Sequence, residues 1–206
     1  MTPRLGFFDS GFGGLTVLRR IRERHYNFDA LYLADTERIP YGSKSPAEMR
    51  VIASEVTQWF NCQQIDALIV ACNTTNSLAL DVVKKLSYVP VFDLIGSSCA
   101  FLNDQRIGIL ATPSTVTSRA YTNNIKVLNP FSFVIEEQCP EFVPIIETGQ
   151  LKSKEFRNII KMHISPLLDA DVQSIVLGCS HYPLIEEIFY ELLPSNIRII
   201  DPALFI

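Results

Sequence analysis

The chain has no Cys-x-x-Cys pair, no phosphate loop ending in Gly-Lys-Ser/Thr, and no apolar run near the roughly 18 residues that span a bilayer. Each absence removes a class of function. Five cysteines, at positions 62, 72, 99, 139 and 179, are an odd number without metal-ligand spacing, which excludes a disulfide framework and a zinc ribbon and leaves free thiols. Basic residues are also scarce: 18 Lys and Arg stand against 22 Asp and Glu, a net charge of −4. With no positive excess to neutralise a phosphate backbone, no nucleic-acid partner is expected. The start, Met1-Thr-Pro-Arg-Leu-Gly, lacks the basic-then-apolar plan of a signal peptide, so the expected setting is cytoplasmic and away from membranes. What is present is apolar material: 48% of the 206 residues are hydrophobic, enough for one large domain or two small ones with buried cores.

Short β-branched and aromatic runs alternate with amphipathic segments. Candidate strands lie at 4–8, 29–34, 66–71, 90–93, 106–110, 131–136, 174–177 and 197–200, each a compact apolar run of the kind covered on both faces. Candidate helices lie at 13–24, 46–61, 75–87, 115–124, 154–168 and 183–192. The second has a start signal, with Ser45 as cap, Pro46 at the first helical position and Glu48 completing a capping box. This β-α order predicts an α/β fold with a parallel, doubly wound sheet.

Internal repetition turns one sheet into two. Arg4-Leu-Gly-Phe-Phe-Asp-Ser10 resembles Arg106-Ile-Gly-Ile-Leu-Ala-Thr112, Ala67-Leu-Ile-Val-Ala-Cys72 resembles Ser174-Ile-Val-Leu-Gly-Cys179, and Pro90-Val-Phe-Asp93 resembles Arg198-Ile-Ile-Asp201. The three matches keep one order and nearly one spacing, so the chain reads as a duplication. The expectation is two pseudo-symmetric α/β domains, 1–95 and 96–206, crossing over at 94–105, with the carboxyl ends of their strands opening on a shared cleft.

Cys72-Asn73-Thr74 and Cys179-Ser180-His181 each follow an apolar strand and precede a polar turn. A thiol there sits near a helix amino end, where the dipole and free N–H groups favour the thiolate. Cysteines after strands are also ordinary core residues, and Cys62, Cys99 and Cys139 are read that way. Matched positions in the repeat argue for chemistry at the other two. His181 can trade a proton with Cys179 or merely cap the turn, while His25 and His163, in charged or amphipathic stretches, are read as surface. A Cys-His pair also suits a thiol hydrolase, which would leave the second cysteine unused.

The first strand runs into Asp9-Ser10-Gly11-Phe12-Gly13-Gly14, whose glycines allow a tight turn and can present N–H groups to an anion, with Asp9 facing the cleft. A dinucleotide fingerprint would need glycine where Thr16 stands. Asp35-Thr36 and Pro40-Tyr41-Gly42 follow the second strand and reach the same opening, although Asp35 alone reads as a turn former. Glu147, after an apolar run, reads alone as a solvated charge.

Together, Phe8-Asp9-Ser10-Gly11-x-Gly13-Gly14-Leu15-Thr16-Val17-Leu18, Asp35-Thr36 through Pro40-Tyr41-Gly42, Ala71-Cys72-Asn73-Thr74 and Gly178-Cys179-Ser180-His181-Tyr182-Pro183-Leu184 resemble the signature blocks of the glutamate racemases, in the aspartate/glutamate racemase superfamily. The resemblance runs along nearly the whole chain. It implies an isomerase without cofactor or metal that interconverts L- and D-glutamate, a small-molecule substrate, and so serves peptidoglycan biosynthesis, cell-wall biogenesis and cell shape. A homodimer is its candidate oligomer. It further implies Cys72 and Cys179 as catalytic acid and base, Asp9 and His181 as their assistants, and Asp35 and Glu147 as supporting acids. Substrate binding would fall to Asp9, Ser10, Tyr41, Gly42, Asn73, Thr74, Ser180 and His181. Since one thiol must be ionised, a modestly lowered thiol pKa is expected, supplied by helix ends and His181.

Two departures from the family pattern stand out. Position 180 is usually threonine, and Ser180 keeps the hydroxyl. The family usually continues past Asp201-Pro202 and returns to the first domain, a segment expected to be missing here. Alternatives are a racemase for aspartate or another amino acid, or a truncated, non-catalytic homologue that binds an acidic amino acid or a partner.

Overall fold

The computed structural model describes residues 2–206. The first half runs β1 (Arg4–Asp9), α1 (Leu15–Arg24), β2 (Asp29–Ala34), α2 (Pro46–Asn61), β3 (Ala67–Val70), α3 (Asn73–Leu86), β4 (Val91–Asp93) and α4 (Leu94–Cys99). The second runs β5 (Arg106–Ala111), α5 (Pro113–Ser118), α6 (Ala120–Leu128), β6 (Phe133–Gln138), α7 (Phe142–Thr148), α8 (Lys154–Asp169), β7 (Ser174–Gly178), α9 (Glu186–Leu192) and β8 (Arg198–Ile200). These strands build two four-stranded parallel sheets, ordered β2-β1-β3-β4 and β6-β5-β7-β8. The fold is thus α/β with two doubly wound sheets.

Pleating explains the layers, because successive side chains of a strand point to opposite faces. Phe8 packs with Leu68 and Val70 against α2 and α3, while Phe7 packs with Ile69 and Ala71 against α1. In the second sheet Leu110, Ile175 and Leu177 meet α8 and α9, and Ile109 and Val176 meet α4 and α6. The central strands β3 and β7 are wholly buried, whereas the sheet-edge strands β2 and β6 are only half-buried, against the expectation that every strand is covered on both faces.

Register makes the duplication concrete. Phe8 pairs with Val70 and Leu110 with Leu177, so Cys72 and Cys179 each stand two residues beyond equivalent pairs. Local structure departs from the sequence reading most clearly in the helices. The crossover contains a helix, α4, whose Ile95 and Cys99 pack on the second sheet. Arg119, at φ 55°, breaks the expected 115–124 helix into α5 and α6. The acidic end of the Phe142–Thr148 segment is helical as α7. The expected 183–192 helix opens as a 3₁₀ turn, Tyr182–Ile185, before α9. No helix among the described residues is long and apolar enough to cross a membrane.

Side chains stitch the halves together. The Thr16 hydroxyl donates to the Ser180 carbonyl at 2.8 Å, and the Tyr121 hydroxyl to Asn73 Oδ1 at 2.6 Å. Ser114 donates to the carbonyls of Gly42 and Lys44, at 2.8 and 3.1 Å. Arg20 on α1 reaches Asp201 at 2.9 Å and Glu186 at 2.7 Å.

Candidate active site

The turn after β1 is built around Asp9. Its carboxylate is wholly buried, with Oδ2 accepting the N–H groups of Gly11 and Gly14 at 3.0 Å each and Oδ1 accepting the Ser180 hydroxyl at 3.2 Å. The glycine N–H groups expected to serve an anion therefore serve Asp9 itself, which lies behind the cavity wall rather than on it. Burial pushes its carboxyl above the ordinary range, opposed by the Gly11 N–H, the charge of His181, the Gly14 N–H and the Ser180 hydroxyl. Gly13 is required by close approach, since a Cβ there would lie 2.4 Å from His181 Nδ1.

Both repeat cysteines line one cavity of about 130 Å³ between the sheets, roughly ten times what a single water needs. Cys72 is the N-cap residue of α3, with Sγ 4.0 Å from Ser10 Oγ. Cys179 Sγ lies 3.8 Å from His181 Nδ1, and His181 Nε2 lies 3.2 Å from Glu147 Oε1 on α7. Phe12 meets the imidazole edge-on at 5.1 Å, so the ring is held on several sides. Cys179, unlike Cys72, opens no α-helix, because the 3₁₀ turn with Pro183 intervenes.

The expected lowering of a thiol pKa is overturned. Burial, then the charge of Asp9, pushes Cys72 up to about 11, against the Thr75 hydroxyl and the Thr75 and Thr74 N–H groups, which favour the thiolate form. Burial raises Cys179 further; the His181 N–H opposes it, while Cys72, Asp9 and Glu147 reinforce it. Desolvation outweighs the helix end.

Of the remaining expected residues, Ser10, Tyr41, Gly42, Asn73, Thr74, Ser180, His181 and Glu147 all line this cavity. Asp35 does not: its Oδ2 accepts Arg38 Nε at 2.6 Å and the Tyr41 hydroxyl, so it holds Tyr41 from outside. His163, read as surface, is buried on α8 among Phe156, Ile160 and Ile164, its helical period placing it on the apolar face. Glu137 and Glu141 receive its two ring nitrogens at 2.9 Å each, which makes the burial tolerable and braces the segment between them. His25 is exposed, as read. Cys62, read as core, is exposed at the carboxyl end of α2.

Sequence reasoning missed Thr112 and Cys139 on the cavity wall. The repeat itself carried the signal. Thr112 is the counterpart of Ser10, and Cys139 follows β6 as Asp35 follows β2, its N–H donating to Ala111 as that of Asp35 donates to Asp9. Among the described residues no group of three or more His, Cys, Asp or Glu is placed to hold a metal ion.

Comparison with known proteins shows the family to which this fold belongs. The Asp/Glu/Hydantoin racemase family profile matches residues 16–205. Glutamate racemase of Synechococcus sp. (strain CC9605) is 51% identical over 99% of this chain and 77% of its own length, and that of Prochlorococcus marinus (strain NATL1A) is 50% identical over 97% and 76%. The crystal structure of glutamate racemase from Francisella tularensis subsp. tularensis in complex with D-glutamate superposes with a TM-score of 0.93 at 35% identity, covering 98% of this chain and 77% of that one. The chain belongs to the glutamate racemase family of Asp/Glu racemases.

Proposed function

We propose that this cavity interconverts L- and D-glutamate by proton transfer between two thiols, supplying D-glutamate for peptidoglycan from the cytoplasm. The observation that carries the reading is that two cysteines, at equivalent positions of two repeated sheets, line one small cavity. Inverting a Cα centre requires one group to take the proton from one face and another to deliver one to the opposite face. One thiolate accepts the Cα proton, forming S–H and leaving the electron pair on a carbanion delocalised into the carboxylate. The opposite thiol then protonates Cα and becomes the thiolate, ready for the reverse enantiomer.

The environment fits this alternation. Burial holds both sulfurs protonated, and the α-ammonium of a bound amino acid brings the positive charge that favours one thiolate. In this reading His181, between Cys179 and Glu147, serves the second thiol, and Asp9 serves the first through the wall beneath it. Glu147 supports His181, and Asp35 acts at one remove by fixing Tyr41. Ser10, Gly42, Asn73, Thr74 and Ser180 present hydroxyl, amide and backbone groups that hold the substrate's charged ends so that Cα–H aims at sulfur.

Incubation of the protein with L-glutamate in D₂O tests this. The expected result is deuterium at Cα together with growth of the D-form. Binding without exchange would leave only an amino-acid-binding homologue, and preferential turnover of aspartate would move the substrate assignment.

A further inference from the structure

One buried hydroxyl beside the cavity has no work in the resting protein. Thr75 is wholly buried at the third position of α3, and its Oγ1 makes no hydrogen bond. A helical threonine ordinarily gives its hydroxyl to a carbonyl three or four residues back. The carbonyl three back is that of Cys72, and it already accepts the Asn76 N–H at 3.0 Å and the Asn76 Nδ2 at 2.8 Å. Leaving a buried donor unmade is costly, so its retention needs a reason.

The reason lies at the cap. The third residue of a helix faces the N-cap side chain, and here the N-cap is Cys72. We infer that Thr75 is a further positioning residue of the racemase, its hydroxyl idle while Cys72 is a thiol and donating a hydrogen bond to the sulfur once it is a thiolate. The hydroxyl keeps its own proton throughout; the proton that moves is the one exchanged between Cys72 and Cα. This rests on the two-thiol reading above and adds what makes Cys72 ionisable in a dry site. The other titratable groups bearing on Cys72 are Asp9 on β1, Tyr32 on β2, Tyr41 in the following loop and Cys179 beyond β7. None offers a cation. Ser10 Oγ, 4.0 Å away, and the first N–H groups of α3 are the remaining donors.

Thr75→Val removes only the hydroxyl, and Thr75→Ser keeps it. Two readouts apply: kcat/KM for glutamate against pH, and the rate at which iodoacetamide alkylates Cys72 and Cys179 against pH, read peptide by peptide. Thr75→Val is expected to lower kcat/KM at least tenfold in both directions, as loss of a hydrogen bond to a charged group does. It should move Cys72 alkylation to higher pH with Cys179 unchanged and leave thermal stability equal or higher, since an unpartnered polar group is gone. Thr75→Ser should restore both the rate and the profile. An unshifted Cys72 profile in Thr75→Val, or a Thr75→Ser that titrates like Thr75→Val, would overturn the inference. Failure of the parent protein to exchange Cα deuterium would instead sink the racemase reading, while the alkylation profiles would still decide the role of Thr75.

Discussion

At the scale of single residues, the two sulfurs divide one task. Cys72→Ser and Cys179→Ser are each expected to abolish racemisation, while elimination from a glutamate analogue with a β-leaving group survives for one enantiomer in each variant. Chiral chromatography reads both reactions, and equal residual racemisation in the two variants would contradict the division. Gly13 is the sharpest structural position, because Ala there puts a methyl 2.4 Å from His181 Nδ1. Gly13→Ala should displace the imidazole from Cys179 and cost about a hundredfold in kcat/KM, the scale of a misplacement near 1 Å. A fully active Gly13→Ala would show that His181 can move without consequence. Cys72, Cys179 and their polar followers were legible because the repeat marked them twice. The rise in thiol pKa was not, since a string of residues displays helix ends but not the burial that outweighs them. His163 shows the same blindness: its amphipathic stretch argued for the surface, and only the packing of α8 reveals that Glu137 and Glu141, at the rim of the core, meet its two ring nitrogens.

At the scale of elements, local chemistry was readable wherever it was self-contained. The capping box forms as expected, with the Glu48 N–H donating to Ser45 Oγ at 3.3 Å and the Ser45 N–H to Glu48 at 2.9 Å. Ser45→Ala should therefore cost about 1 kcal/mol, measured by urea unfolding, with no change in KM. An unchanged unfolding midpoint would mean water replaces the cap without loss. The buried strands β3 and β7 announced themselves as unbroken apolar runs, but β6 runs two residues further than read, to Gln138, because on a half-exposed edge a strand can carry the polar Glu136, Glu137 and Gln138. α4 and α7 were missed for another reason: they are short, and tertiary packing rather than periodicity holds them helical.

At the scale of the whole molecule, the buried thiols give stability a direction with pH. Cys72, Cys99, Cys139 and Cys179 are all raised above the ordinary 9.0 by burial. Above pH 9 the unfolded chain releases thiol protons that the native protein still holds, so the native state binds more protons and stability falls as pH rises toward the native values. Thermal unfolding across pH 7 to 11 should show a plateau below about 9 and decline above it; a flat profile would mean that the sulfurs are less dry than the packing indicates. Arg20 offers a separate test. Its loss in Arg20→Ala strands the buried Asp201 carboxylate and should cost about 3 kcal/mol in denaturant unfolding.

The stitches between the sheets govern how a guest gets in. Ser180 is gripped twice by the opposite half, through its carbonyl by Thr16 and through its hydroxyl by Asp9, while Tyr121 and Ser114 fasten other parts of the rim. Opening the two lobes like a clamshell would break these seams together, at about 1 kcal/mol for each hydrogen bond. An entry that left these seams intact would keep the scaffold that aims the sulfurs in place while a small molecule passed.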